Sequence, residues 1–446
     1  MAHFDYIIKN ATCILRNTSK NWTSEVLDVG IQNGKIQSLK AGLSADAETF
    51  DATGLHLLPG LIDTQVHFRQ PGLEHKETIA TGLKGAALGG ITGVFEMPNT
   101  APPTDCPERL QEKLAIASKD PWANYAFFAG ATPENIPQLN SLELTPGCCG
   151  VKVFMGSSTG SLLISTEELL DGVLKNGKRR VAIHSEDEAL LVKRFKSLNL
   201  DSKTVFSHPE WRNEEVALTS TKKLVRLAKL NRRPVHVLHV TTAEEMAFLK
   251  QEKEGGLVTV ETTPQHLTLY APDCYERLGT LAQMNPPIRD KKHQEALWKA
   301  INDGTVDVLG SDHAPHTIEE KNRPYPKSPS GMTGVQTTVP LMLDHVNHKR
   351  LSLYRLVELL AERPCQIYGI KNKGALQVGR DADFTLVDLK TERIIENSWI
   401  ASLAGWSPFD GKKVMGWPKG TMIGGNWTML EDQLQVPLGR SFEFEF

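Results

Sequence analysis

The chain has 446 residues, of which 40% are hydrophobic and 23% charged, with a formal net charge of −3. This length suits a catalytic body of about 250–350 residues with a satellite, and the charge argues against a nucleic-acid partner or a polybasic membrane contact. No apolar run reaches the roughly 18 residues of a bilayer span, and MAHFDYIIKN lacks the pattern of a secretory signal. Six scattered cysteines without a CxxC pair read as reduced thiols, so the expected location is cytoplasmic.

Residues 1–57 read as short β segments, with an Asn33-Gly34 hairpin turn between alternating runs. Residues 58–372 then alternate between two patterns. Strands are predicted at 58–67, 92–98, 124–130, 150–155, 181–186, 234–240, 257–264 and 306–312. Most are near-continuous apolar runs, as expected of parallel strands buried on both faces. Helical periodicity intervenes, for example at 75–90, 166–177 and 213–230. Eight such units predict an α/β fold, a (β/α)8 TIM-like barrel. A doubly wound open sheet is the alternative, but no glycine fingerprint supports it. Residues 373–446 return to Gly-rich β segments at 374–389 and 413–430. The two β-rich chain ends are expected to join in one small β-sandwich.

In such a barrel, catalytic groups sit at the C-terminal ends of the strands. Strand 1 ends in His67 and Arg69, strand 4 carries Lys152, strand 5 ends in His184, strand 6 in His239, and strand 8 in Asp312 and His313. Imidazoles and a carboxylate are suitable zinc ligands. Lys152 lies within VKVF, where a buried ammonium is costly unless paired. It either snorkels to the rim, or loses its proton and takes up CO2 to become a carbamate, a carboxylate-like group able to bridge two metals. Asp312 would bind metal and move a proton, while Arg69, Asn99, Asn285 and His316 on the rim would grip a ligand carrying a carboxylate and ring amides. His236 is expected to be structural and His208 a loop residue without a role. The polar, Pro/Gly-rich stretch 317–336 is read as a lid.

Together PGLIDTQVHFRQPG, MPNT, VKVF, the histidines of AIHSED and VLHVTT, NPPIR and GSDHAPHT resemble the amidohydrolase superfamily, and within it the dihydroorotases of the class I type. The resemblance implies reversible conversion of N-carbamoyl-L-aspartate and (S)-dihydroorotate, the ring-closing step of pyrimidine synthesis. It implies one or two zinc ions, with His67 on the first metal, His184 and His239 on the second, and carboxylated Lys152 between them. Asp312 would be ligand and general acid/base for attack by metal-bound hydroxide. Arg69, Asn99 and His316 would contact the substrate carboxylate, and Asn285 would make a further substrate contact.

Gln65 is the departure, standing where the family's His-x-His-x-Arg pattern has its first histidine. Three readings follow: a first metal held by His67, the lysine and Asp312; a single ion at the second position; or an inactive homologue beside aspartate transcarbamoylase. A homodimer is the other candidate assembly. The enzymatic rivals are a hydantoinase or dihydropyrimidinase, and an allantoinase, whose substrates lack the free carboxylate that Arg69 and Asn99 would bind.

Overall fold

The computed structural model describes residues 3–17, 19–44, 46–157 and 162–445, with backbone alone at 254. Eight parallel strands form the central sheet: β1 (Leu61–Val66), β2 (Ile91–Glu96), β3 (Asn124–Gly130), β4 (Cys148–Phe154), β5 (Val181–His184), β6 (Val235–Val237), β7 (Val258–Thr262) and β8 (Val308–Leu309). They follow one another in sequence order around the sheet. A parallel bridge between Val66 and His313 brings the two edges together. Helices such as Ile79–Leu88, Glu167–Lys175 and Glu214–Asn231 intervene, starting at side-chain caps on Thr78, Thr166 and Asn213.

Strand alternation sorts each side chain inward or outward. In β4, Val151 and Val153 join the core packed against the helices, while Cys149, ahead of a register shift opposite Phe127–Phe128, joins the cluster that fills the lumen. Lys152 follows the same alternation and points inward, into the cavity described below. Several strands are shorter than the apolar runs suggested. β8 spans two residues of the expected 306–312, and beyond it Asp312 takes φ +45°.

Both chain ends form one mixed sheet of nine strands. The ends meet where His56–Pro59 pairs antiparallel with Phe384–Ile394. The Asn33-Gly34 turn has φ of +52° and +72°, the geometry of a two-residue hairpin, and it joins Trp22–Gln32 to Lys35–Lys40. The chain passes from this sheet to the barrel at Gly60.

Residues 373–446 do not all stay with that sheet. Ser441 bridges to Tyr125 and Phe444 to Ile370, so the last residues run beneath the barrel. Phe442 and Phe444 pack edge-on against Phe95, with Phe128 and Tyr368 beside them. These rings close the end of the lumen opposite the catalytic rim. All six cysteines are free thiols. Among the described residues no helix is long and apolar enough to cross a membrane.

Candidate metal centre

A small cavity at the C-terminal ends of the strands is lined by Gln65, His67, Lys152, Phe154, His184, His239, Asn285, Asp312, Ala314, Ser330 and Gly331. Its free space is about 20 Å3, room for little more than one water. Arg69, His239 and Asp312 lie just past strand ends with φ of +62°, +36° and +45°. Left-handed backbone at non-glycine residues costs of order 1–3 kcal/mol each and clusters at functional sites.

The donors face each other in pairs. His67 Nδ1 donates to Asn99 Oδ1 at 2.6 Å, which leaves Nε2 bare and 3.1 Å from Asp312 Oδ1. His184 Nε2 donates to Glu186 Oε2 at 2.8 Å, which leaves Nδ1 bare and 3.0 Å from His239 Nε2. Burial lowers the pKa of all three imidazoles, so protonation is a poor way to relieve these contacts. A cation between His67 and Asp312 relieves the first, and the second is satisfied either by a cation or by an Nε2–H of His239 donating to His184 Nδ1. Two nitrogens on one tetrahedral zinc lie about 3.3 Å apart, close to both separations.

Among the described residues no three His, Cys, Asp or Glu side chains could hold an ion by themselves. Lys152 is the remaining group at the cavity. Its Nζ sits 4.1 Å from the centre of the Phe154 ring. Burial pushes its pKa down to about 7, against the opposing pull of Asp312 and Glu261. A large share of the amine is therefore neutral near pH 7, the form that takes up CO2. The residues present fit a metal centre if Lys152 supplies carboxylate-like oxygens.

Asp312 Oδ1 also accepts from Gln65 Nε2 at 3.1 Å. Burial alone would raise the carboxyl pKa, and positive charge facing it, greatest at His67, is what lowers it.

Arg69, Asn99 and His316 lie off the cavity lining. Asn99 sits behind His67 as its hydrogen-bond partner. Arg69 donates from Nε to Pro315 O at 3.1 Å, and its Nη2 lies 3.2 Å from His316 Nε2. Lys76 reaches His316 Nδ1 at 3.1 Å. Burial, then the charges of Arg69, Lys76 and Lys321, keep His316 neutral. Lys321 is itself fully buried and, among the described residues, hydrogen-bonds only to the carbonyls of Gln283 and Pro329.

Sequence reasoning missed the groups behind these residues. His208, expected to have no role, is fully buried and places Nε2 3.0 Å from Asn285 Oδ1. His266 Nε2 meets Pro286 O at 3.0 Å and steadies the same loop. Glu186, which holds His184, is itself clamped by Arg212. The signal for Glu186 was present, since it lies two residues past a strand-end histidine. His236 is structural as expected, meeting Thr259 and Glu261 inside the barrel. Part of 317–336 packs down as a wall of the cavity, through Ser330 and Gly331.

Glu186→Gln keeps the volume but removes the charge that orients His184. It is expected to lower zinc affinity about 10- to 100-fold in competition with a chromophoric chelator. Unchanged affinity would contradict a role for Glu186 in holding this ligand.

A model of the amidohydrolase family matches residues 56–428. The chain belongs to the amidohydrolase family. This amidohydrolase is 33% identical over 413 residues to a dihydroorotase of Methanosphaera stadtmanae, covering 90% of this chain and 93% of that one. A dihydroorotase of Methanosarcina acetivorans is 34% identical over 450 residues, covering 98% and 94%. Among solved structures, L-hydantoinase (dihydropyrimidinase) from Arthrobacter aurescens superposes with a TM-score of 0.93 at 29% identity, covering 99% of this chain and all of that one.

Proposed function

We propose that this amidohydrolase is a zinc-dependent dihydroorotase, interconverting (S)-dihydroorotate and N-carbamoyl-L-aspartate in pyrimidine synthesis. The observation that carries the substrate choice is Arg69. Its guanidinium is 2% exposed, yet among the described residues no carboxylate lies at ion-pair distance from it. A buried unpaired charge is costly, and a substrate carboxylate would supply the missing partner. Lys76 and Lys321 deepen the positive corner, with Glu320 paired to Lys76 at 3.1 Å. The dihydroorotase relatives support the same choice.

Metal would be held by His184 Nδ1, His239 Nε2 and a carbamate on Lys152, with His67 Nε2 and Asp312 as donors on the other side. When bound, zinc supplies acidified water and polarises the ring carbonyl. Asp312 takes the proton of the attacking water and returns it to the ring nitrogen as the C–N bond breaks. Its Oδ1 is already engaged by Gln65, so the proton travels on Oδ2. Ring closure runs the same steps backwards. Asn285, fixed by His208, lines the cavity where the ring amides would lie. A six-membered ring does not fit about 20 Å3, so the Ser330–Gly331 wall moves aside on binding.

The likeness to hydantoinase structures makes hydrolysis of uncharged rings the second reading. Dihydrouracil is the same ring without the carboxylate, so it separates the two. The zinc-loaded protein is expected to prefer dihydroorotate by at least about a hundredfold in kcat/KM. Equal or faster hydrolysis of dihydrouracil or hydantoin would overturn the dihydroorotase reading.

A further inference from the structure

We infer that the two cation positions of this centre are unequal, and that Gln65 is the residue that makes the one at His67–Asp312 weak. The inference rests on the metal-dependent reading above and deepens it.

At His184–His239 two imidazoles face each other, and the Glu186 bond commits His184 Nδ1 to an acceptor role. With Lys152 as a carbamate, that position has three protein ligands and one open place, the pattern of catalytic zinc. At His67–Asp312 there is one imidazole. The carboxylate oxygen that it faces already receives the Gln65 N–H.

The orientation of this amide is set by its neighbour. Turned over, Gln65 would press its carbonyl oxygen against the carboxylate of Asp312, two acceptors in contact. As it stands, Gln65 presents the positive end of its dipole where a ligand would present a lone pair. It neutralises part of the Asp312 charge, as a metal ion at that place would. Gln65 Oε1 is meanwhile buried without a hydrogen-bond partner among the described residues, which is costly. That oxygen can join an ion only if the amide gives up Asp312, and an amide oxygen is a harder and poorer zinc ligand than imidazole. One zinc is therefore held tightly and the second only loosely.

The test is metal retention by the full-length protein, loaded with zinc and bicarbonate and then passed through a chelating resin. The expected result is one zinc equivalent per chain in the unmodified protein and two in Gln65→His. Gln65→Glu, which offers a carboxylate oxygen in place of the N–H, is expected to gain the second equivalent as well and serves if the histidine variant does not fold. With manganese, electron paramagnetic resonance is expected to show an isolated ion in the unmodified protein and a spin-coupled pair in the variant. Two retained equivalents in the unmodified protein would overturn the inference, and so would one equivalent in all three proteins. Dihydroorotate turnover is followed on the same samples. Expected stoichiometries without turnover would sink the dihydroorotase reading and leave this inference standing, and two equivalents with turnover would do the reverse.

Discussion

Lys152→Ala is expected to lower dihydroorotate turnover by at least about a thousandfold, the several kcal/mol that loss of the ion's charge stabilisation costs. The variant is also expected to lose bound zinc. The reason is the donor count. Two pairs of candidate ligand atoms face each other at the cavity, and no three His, Cys, Asp or Glu groups among the described residues enclose an ion unaided. Lys152 is the one further side chain on the lining that can become anionic. Its burial and its pKa near 7 favour the neutral amine that carbamate formation requires. Because the alanine leaves a space shaped for a carboxylate, added acetate or propionate is expected to restore part of the metal and part of the rate. Protein incubated with 13C-bicarbonate is expected to show a carbamate carbon resonance that the variant lacks. Full metal content and activity in the variant would refute the assignment.

Arg69→Ala is expected to cost about 2–4 kcal/mol in kcat/KM for dihydroorotate, or about 30- to 1,000-fold, with zinc content unchanged. Arg69 touches no candidate ligand. It bonds to Pro315 O and His316 in a corner that also holds Lys76 and Lys321. Removing the guanidinium deletes the charge that would meet the substrate carboxylate and leaves His67 with its Asn99 partner. Hydrolysis of dihydrouracil, which has no carboxylate, is expected to change far less. Arg69→Lys is not an adequate substitute, since an ammonium cannot offer the planar fork of a guanidinium. A loss of zinc equal to the loss of binding would show that Arg69 acts on the centre and not on the substrate.

Much of the fold was legible because parallel strands buried on both faces must be apolar almost throughout, and this gave all eight barrel strands. Their ends were less legible. Val235–Val237 and Val308–Leu309 stop well inside their apolar runs, since the chain turns there to aim His239 and Asp312 across the rim. The path of the chain's end was not legible either. Phe442 and Phe444 alternate with Glu443 and Glu445 as any edge strand would, and only the assembled barrel shows the lumen that they close.

The site was readable where a histidine stands at a strand end, as at His67, His184 and His239. It was unreadable where a residue acts through a distant partner. The bond of Asn99 to His67 spans 32 positions of sequence. His208 reaches Asn285 across 77 positions, and no local pattern marks the pair. Gln65 was visible as a departure from the first. What the sequence could not supply was the direction of its amide, which the carboxylate of Asp312 sets.

The proposed dihydroorotase activity rests on ring closure at this centre. The most direct measurement is conversion of N-carbamoyl-L-aspartate to dihydroorotate by the purified, zinc-loaded chain alone. The account predicts turnover in both directions, rising with zinc occupancy and abolished by chelation. No conversion in either direction at any metal loading would contradict it.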